Sequence, residues 1–264
     1  MKKVRTIVIL IFIVFSNLSA SNNWKLVDSI NYEFGSIMRL KCYDSLNCMY
    51  LVNKDKLGGF HLEGTTDGGK TWKKVYMDSA YFHNMKDYHL VPKLKDLSYP
   101  NDKLCIAVGD SGLVLRSTDK GETWDVFRTD TNYENYSLNM YNDKIGSMAP
   151  FDRKLFKVYF STTTDGGKTW DTKQWPKWPN TNKWIGLGHL QYLNENLFVG
   201  HTMYKFSNTV FNNYLIYVHN NWESWDTVWA PPFTEFSMVD ENNVWISGNI
   251  KKYTKTGSYY YRQY

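Results

Sequence analysis

Proline is scarce in this 264-residue chain, with seven in all, and no low-complexity linker interrupts it. Neither disorder nor a string of tethered domains fits that composition. Arginine is scarce too, at six of 31 basic residues. One of the six, Arg5, stands with Lys2 and Lys3 ahead of the apolar run Val8–Phe15 and the small-residue stretch Ser16–Ala20. That order is a secretory signal peptide cleaved after Ala20. The run falls short of the roughly 20 apolar residues of a spanning helix, so no transmembrane segment is expected after cleavage. Losing three cations takes the formal charge from +5 to about +2. With so little arginine to grip phosphate bidentately, nucleic acid is excluded as a partner. The expected location is outside the cytoplasm: secreted, at the cell surface or in the periplasm.

Cysteine is limited to three. Cys42 and Cys48 flank a turn-forming Asp-Ser-Leu-Asn between two apolar stretches, so a hairpin would set their sulfurs opposite each other, as a disulfide or as two separate thiols. Cys105, inside Leu104–Val108, reads as a core strand residue. His83, His89, His189 and His201 have no ligand spacing, and no phosphate-cradling glycine loop or nucleophile elbow occurs. No metal and no cofactor are expected.

What is abundant is aromatic: 17% of the chain, suited to half-buried strands. Within this background one phrase recurs, [Ser/Thr]-x-Asp-x-Gly-x-Thr-Trp. It places Asp67, Gly69, Thr71 and Trp72 in the first copy, Asp119, Gly121, Thr123 and Trp124 in the second, and Asp165, Gly167, Thr169 and Trp170 in the third. The aspartates stand 52 and 46 positions apart, a period that signals a propeller or another repeat array. The segment Leu97–Arg116 ahead of the second copy reads strand, turn, strand, turn, strand, with a last strand starting at Trp124, so each unit is about four antiparallel strands.

Unit starts near Ile37, Leu97, Met148, Leu190 and Phe236 give about five repeats, the fourth phrase decayed to His219–Trp225 with Asn220 at the Asp place. The expected fold is all-β, a β-propeller of four-stranded antiparallel blades forming one domain over residues 21–264. An N-terminal strand at Trp24–Ser29 would complete the last blade, unless the array is incomplete.

Each part of the phrase has a structural use. The Asp accepts backbone N–H groups within a tight turn, Gly two positions on takes a positive φ, Thr opens the next strand, and Trp packs on a neighbouring strand or blade. At these residues the chain resembles the Asp-box, or BNR-repeat, propellers, a superfamily that includes sialidases, xyloglucanases, sortilin-type receptors, assembly-factor-like proteins of photosystems and many secreted bacterial proteins. The resemblance implies that the boxes lie at the blade periphery, away from a central site.

A sialidase would need an arginine cluster. Arg39, Arg116, Arg128, Arg153 and Arg262 remain in the mature chain, and Arg39 is followed by Leu40 and Lys41 rather than the Ile-Pro of that family's first arginine motif. Another glycosidase needs two facing carboxylates. Asp87, Asp96, Asp152, Glu195 and Asp240 stand near unit starts, but nothing in the sequence pairs any two of them. Trp170, Trp175, Trp178 and Trp184 crowd fifteen residues broken by proline. Trp175 and Trp178 are therefore candidates for stacking on a sugar or peptide, or else for packing on each other. The sequence favours a non-catalytic binding or scaffold module for a protein or carbohydrate partner. The alternatives are a glycoside hydrolase and an assembly-factor-like role at a membrane complex.

Overall fold

The computed structural model describes residues 36–53, 59–78, 92–174, 185–205, 211–220, 223–230, 235–241, 243–247, 250–253 and 259–262. The signal-like segment, Asp87, Trp175 and Trp178 lie outside them. The described chain is strand and turn, with a 3₁₀ turn at Asp110–Gly112. Two compact units divide at residue 177.

The first unit carries three propeller blades, each a four-stranded antiparallel meander. Blade one is β1 (Ser36–Cys42), β2 (Cys48–Asn53), β3 (Phe60–Thr65) and β4 (Lys73–Met77). Blade two is β5 (Leu94–Ser98), β6 (Cys105–Gly109), β7 (Leu113–Ser117) and β8 (Asp125–Arg128). Blade three is β9 (Tyr133–Met140), β10 (Gly146–Asp152), β11 (Lys157–Thr163) and β12 (Asp171–Gln174).

The third blade thus begins at Tyr133, fifteen residues ahead of the start near Met148, which lies in its second strand. Strand β9 reads Tyr-Glu-Asn-Tyr-Ser-Leu-Asn-Met, and its polar alternation hid it from a search for apolar runs. Beyond residue 177 a fourth meander comprises β13 (Ile185–Asn194), β14 (Leu197–Lys205), β15 (Phe211–His219) and β16 (Ser224–Ala230). Two hairpins follow, β17 (Glu235–Met238) with β18 (Val244–Ser247), and β19 (Ile250–Tyr253) with β20 (Tyr259–Arg262).

Burial follows the period-two alternation of strands. Every residue of β6 is buried, because blade two is covered on both faces. Cys105 and Ala107 face Met49, Leu51, Phe60 and Leu62 of blade one, while Ile106 and Val108 face Leu138, Met140 and Met148 of blade three. The Cys105 thiol, fully enclosed, is pushed well above its ordinary range by burial. Past residue 177, Leu197, Val199, Leu215 and Tyr217 pack on Phe236 and Met238 in the same manner.

Polar clamps tie blade to blade. The Asn53 side-chain amide donates to Leu94 O at 2.7 Å and accepts Leu94 N at 3.2 Å. In the second unit, Gln191 donates to Met238 O and accepts Met238 N, both at 2.8 Å. Arg116 is 8% exposed and donates through Nε to Gly166 O of the next blade at 2.7 Å. Cys42 and Cys48 are a register pair of β1 and β2 and are joined as a disulfide. Their turn is closed by the Asp44 carboxylate, which accepts Leu46 N and Asn47 N.

Two consecutive residues of each repeated phrase take positive φ, not only the second one. Gly68 and Gly69 are at 75° and 85°, and Gly166 and Gly167 at 72° and 78°. The middle copy instead places Lys120 at 64° ahead of Gly121 at 89°. A side-chain-bearing residue there is strained by roughly 1–2 kcal/mol, and the exposed Lys120–Asp102 pair at 4.0 Å returns little. Lys120→Gly is expected to raise stability by roughly 1 kcal/mol once the greater freedom of glycine in the unfolded chain is deducted. Urea unfolding of the two proteins measures it, and a destabilised variant would contradict the strain argument.

Candidate functional site

The three octapeptides have one geometry. Asp67 Oδ1 accepts Thr65 Oγ1 at 2.8 Å and Thr71 N at 2.9 Å, while Oδ2 accepts Thr71 Oγ1 at 2.6 Å. Asp119 and Asp165 repeat this with Ser117 and Thr123, and with Thr163 and Thr169. The main backbone bond to each carboxylate therefore comes from the N–H four residues on. The first residue of the phrase also has a use that sequence reading left unassigned: its hydroxyl accepts the N–H of Gly69, Gly121 or Gly167. Trp72 lies against Tyr50, and Trp124 against Tyr76 of the preceding blade. Trp124 Nε1 donates to Val75 O and Gly121 O, both at 3.0 Å.

In the decayed fourth phrase, Asn220 N donates to Asn196 O, as Gly68 N does to Leu46 O and Gly166 N to Lys144 O. Its φ of 48° also matches the residue after the Asp, while its carbonyl accepts Glu223 N as Asp119 O accepts Glu122 N, so Asn220 combines features of both places in a shortened turn.

These bonds hold the three carboxylates ionised, at about 2 against an ordinary 3.8. At Asp67 and Asp119 the leading cause is the hydroxyl of Thr71 or Thr123. At Asp165 partial burial pushes upward and is outweighed by the bonds from Thr169 and Thr163. A carboxylate lowered in the folded state contributes stability that is present above pH 3.8 and is lost as pH falls toward 2. Asp119→Ala is expected to lower Tm by several degrees at pH 7, with the gap to wild type closing between pH 4 and pH 2. A gap that persisted at pH 2 would show that the charge is not what matters.

Three of the five acids nominated from sequence, Asp96, Asp152 and Asp240, prove to be occupied. Asp96, 2% exposed, accepts Leu97 N and Leu138 N at 2.9 Å and Arg39 Nε at 3.3 Å. Asp152 closes a turn through Lys154 N and Leu155 N, and Asp240 closes another through Asn243. Glu195 sits exposed in the turn after β13. His189 lies 3.3 Å from Glu235, and His201 is bonded to Asn213 at 2.9 Å. Among the described residues no group of three His, Cys, Asp or Glu side chains is gathered as a metal site.

Two places were not found from sequence. The first is a surface cluster on β5 and β9. Tyr136 donates to Glu134, and Arg153 Nε lies 3.1 Å from Glu134. Lys95 Nζ stands 3.2 Å from Asp110 and 5.4 Å from the centre of the Tyr136 ring. Burial, and then the bond to Glu134, push the Tyr136 hydroxyl well above its ordinary range.

The second is an open cleft of about 350 Å³ between blades two and three. Phe127, Tyr133 and Trp170 supply rings, Thr129 and Thr172 hydroxyls, and Arg128, Lys168 and Asp130 charges. Arg128 is steadied by donating to Ser111 O at 2.6 Å, and Asp130 accepts Asn132 N at 2.8 Å. Tyr133 is pushed up to about 12, by burial first and then by Tyr159, Asp130 and Asp152, so its hydroxyl is a neutral donor at any working pH. The Trp170 indole N–H has no acceptor, unlike that of Trp124. The cleft draws on β8, the loop after it, β9 and the third octapeptide, and no local sequence signal joins these.

The chain is similar to β-propeller proteins. One is YCF48 bound to D1 peptide, at 15% identity over 83% of this chain and 77% of that one, with a TM-score of 0.42. Another is an α-L-arabinanase from Penicillium chrysogenum complexed with arabinobiose, at 15% identity over 81% and 70%, TM-score 0.46. A third is the GH74 xyloglucanase from Xanthomonas campestris, at 14% identity and TM-score 0.47, where 70% of this chain matches 29% of the other. No protein-family model and no curated protein sequence matches the chain.

Proposed function

We propose that this is an exported, Asp-box type propeller that acts as a non-catalytic binding module for a glycan or a protein segment. The carrying observation is the cleft between blades two and three. It joins three aromatic rings, which bind flat apolar faces, to hydroxyl and cationic donors that suit hydroxyl or carboxylate oxygens. Its single carboxylate, Asp130, is already engaged by Asn132, whereas glycoside hydrolysis needs two. Export is supported by the signal-like start and by the Cys42–Cys48 disulfide, a bond of oxidising compartments.

The test is binding of the protein to immobilised glycans and to a peptide library, repeated with Lys168→Ala and Tyr133→Phe. Both variants should weaken the captured ligand while leaving Tm in place. Equal binding by both would remove the cleft from the reading.

A hydrolase is the second reading, and one observation favours it: Glu134 accepts the hydroxyl of the exposed Tyr136, and Asp110 is among the charges that push that hydroxyl upward. Turnover of a glycoside that Glu134→Gln abolished would establish that reading instead.

A further inference from the structure

The turn between β10 and β11 presents its apolar side chains to solvent. Leu155 is 53% exposed and Phe156 77%, the latter the largest fractional exposure of any large apolar residue among those described. The turn is not loosely held. Asp152, 5% exposed, accepts Lys154 N and Leu155 N at 2.8 Å, and Arg153 N donates to Asn132 O at 3.0 Å. Phe156 itself adopts φ of 52°, a left-handed conformation unfavourable for a bulky residue. The protein therefore tolerates local strain while exposing a phenyl ring. A polar residue or glycine would serve an ordinary hairpin tip better.

The surroundings of the tip specify its chemistry. Arg153, Lys154 and Lys157 are all exposed, so five consecutive residues read cation, cation, apolar, apolar, cation. Arg153 is partly neutralised by Glu134, at 3.1 Å, and Lys157 Nζ donates to Gln174, at 3.2 Å. Asp152, the acid within the turn, is buried and spent on backbone. The apolar surface continues from Phe156 to Phe151 at 6.3 Å and on to Tyr136 at 6.4 Å. An apolar point with a basic rim suits the boundary of an anionic bilayer, where rings and leucines enter below the headgroups while lysine and arginine stay among the phosphates.

We propose that the Arg153–Lys157 turn docks this protein onto an anionic lipid surface, with Leu155 and Phe156 inserted and Arg153, Lys154 and Lys157 on the phosphates. The occupant is argued from charge complementarity and from the apolar tip. It is independent of the cleft, whose residues it does not use.

The experiment is cosedimentation of the mature protein with phosphatidylcholine vesicles, with and without about 30 mol % phosphatidylglycerol. Wild type should pellet with the anionic vesicles and not with the neutral ones, and about 0.5 M salt should release most of it. Leu155→Ser with Phe156→Ser should weaken binding about tenfold or more. Lys154→Gln with Lys157→Gln should weaken it without altering the apolar tip. Unchanged Tm in each variant certifies the fold. Lys168→Ala, a cleft variant, should bind vesicles as wild type does, which separates failure of this proposal from failure of the binding-module reading. No pelleting of wild type, equal pelleting with neutral lipid, or a serine variant that pellets normally would each overturn the proposal. The first of these results would leave the tip to a protein partner.

Discussion

Replacing Asp96 by alanine is expected to cost roughly 2–4 kcal/mol, because two buried N–H groups lose their acceptor at about 1–3 kcal/mol each. Asp96 stands on β5, the first strand of blade two. Its Oδ1 receives Leu97 N within the strand and Arg39 Nε from β1, while Oδ2 receives Leu138 N from β9. Alanine would leave two buried N–H groups and a guanidinium without their acceptor at the point where three blades meet, and each orphaned group carries its own desolvation penalty. Asp96→Asn keeps one acceptor oxygen but turns an amide donor toward a donor, so an intermediate loss is expected. Urea unfolding reads both. The measurement also decides between roles: a catalytic acid would lose turnover with stability unchanged. A cost below about 1 kcal/mol would reopen Asp96 as chemistry.

Gly112→Ala should be the most damaging of the substitutions at the described glycines of the first unit. Gly112 has φ of 66°, and a Cβ there would lie 2.1 Å from Asp130 O and 2.7 Å from Asp130 N. The obstacle is backbone, which cannot rotate aside as a flexible side chain would. Left-handed strain of roughly 1–2 kcal/mol adds to overpacking of roughly 1–3 kcal/mol, so a loss of about 3 kcal/mol or more is expected. Gly64→Ala is the control, because its nearest neighbour is a Val75 methyl at 3.3 Å and the change there should be small.

The consequence reaches function as well. Thr129 and Asp130 line the cleft and are held by Thr129 N donating to Gly112 O at 2.9 Å. Below its lowered Tm, the variant should therefore also bind the cleft ligand more weakly. Normal affinity in a destabilised Gly112→Ala would mean that the loop after β8 does not shape the site.

What could be read from the chain alone was whatever is local. The octapeptide was legible because a turn states its requirements in consecutive residues: a hydroxyl, an acid, glycines, a threonine. Even there the first Ser or Thr went unassigned, since its bond to the fifth residue of the phrase has no separate signature. The apolar strands β6 and β7 were visible as runs. The first strand β9 was not, because it carries Asn135 and Ser137, polar residues that are buried only because neighbouring blades cover them. Acids near unit starts were sensible nominees for chemistry by position. Which of them meets an N–H group 42 residues away depends on blade packing, which no spacing encodes. The cleft escaped notice for the same reason, its walls coming from separate strands and an octapeptide turn.

The Asn53 and Gln191 clamps carry a further implication. Each amide grips the backbone N–H and C=O of one residue, groups that every residue but proline presents identically. What it recognises is therefore position along a neighbouring strand, irrespective of the side chain displayed there. Leu94 and Met238 are free to be exchanged for other apolar residues without any change in alignment, whereas Asn53 and Gln191 are not. A segment copied or transplanted with its own amide would carry its means of alignment with it, which is how an array of this kind could lengthen while the content of each copy drifts.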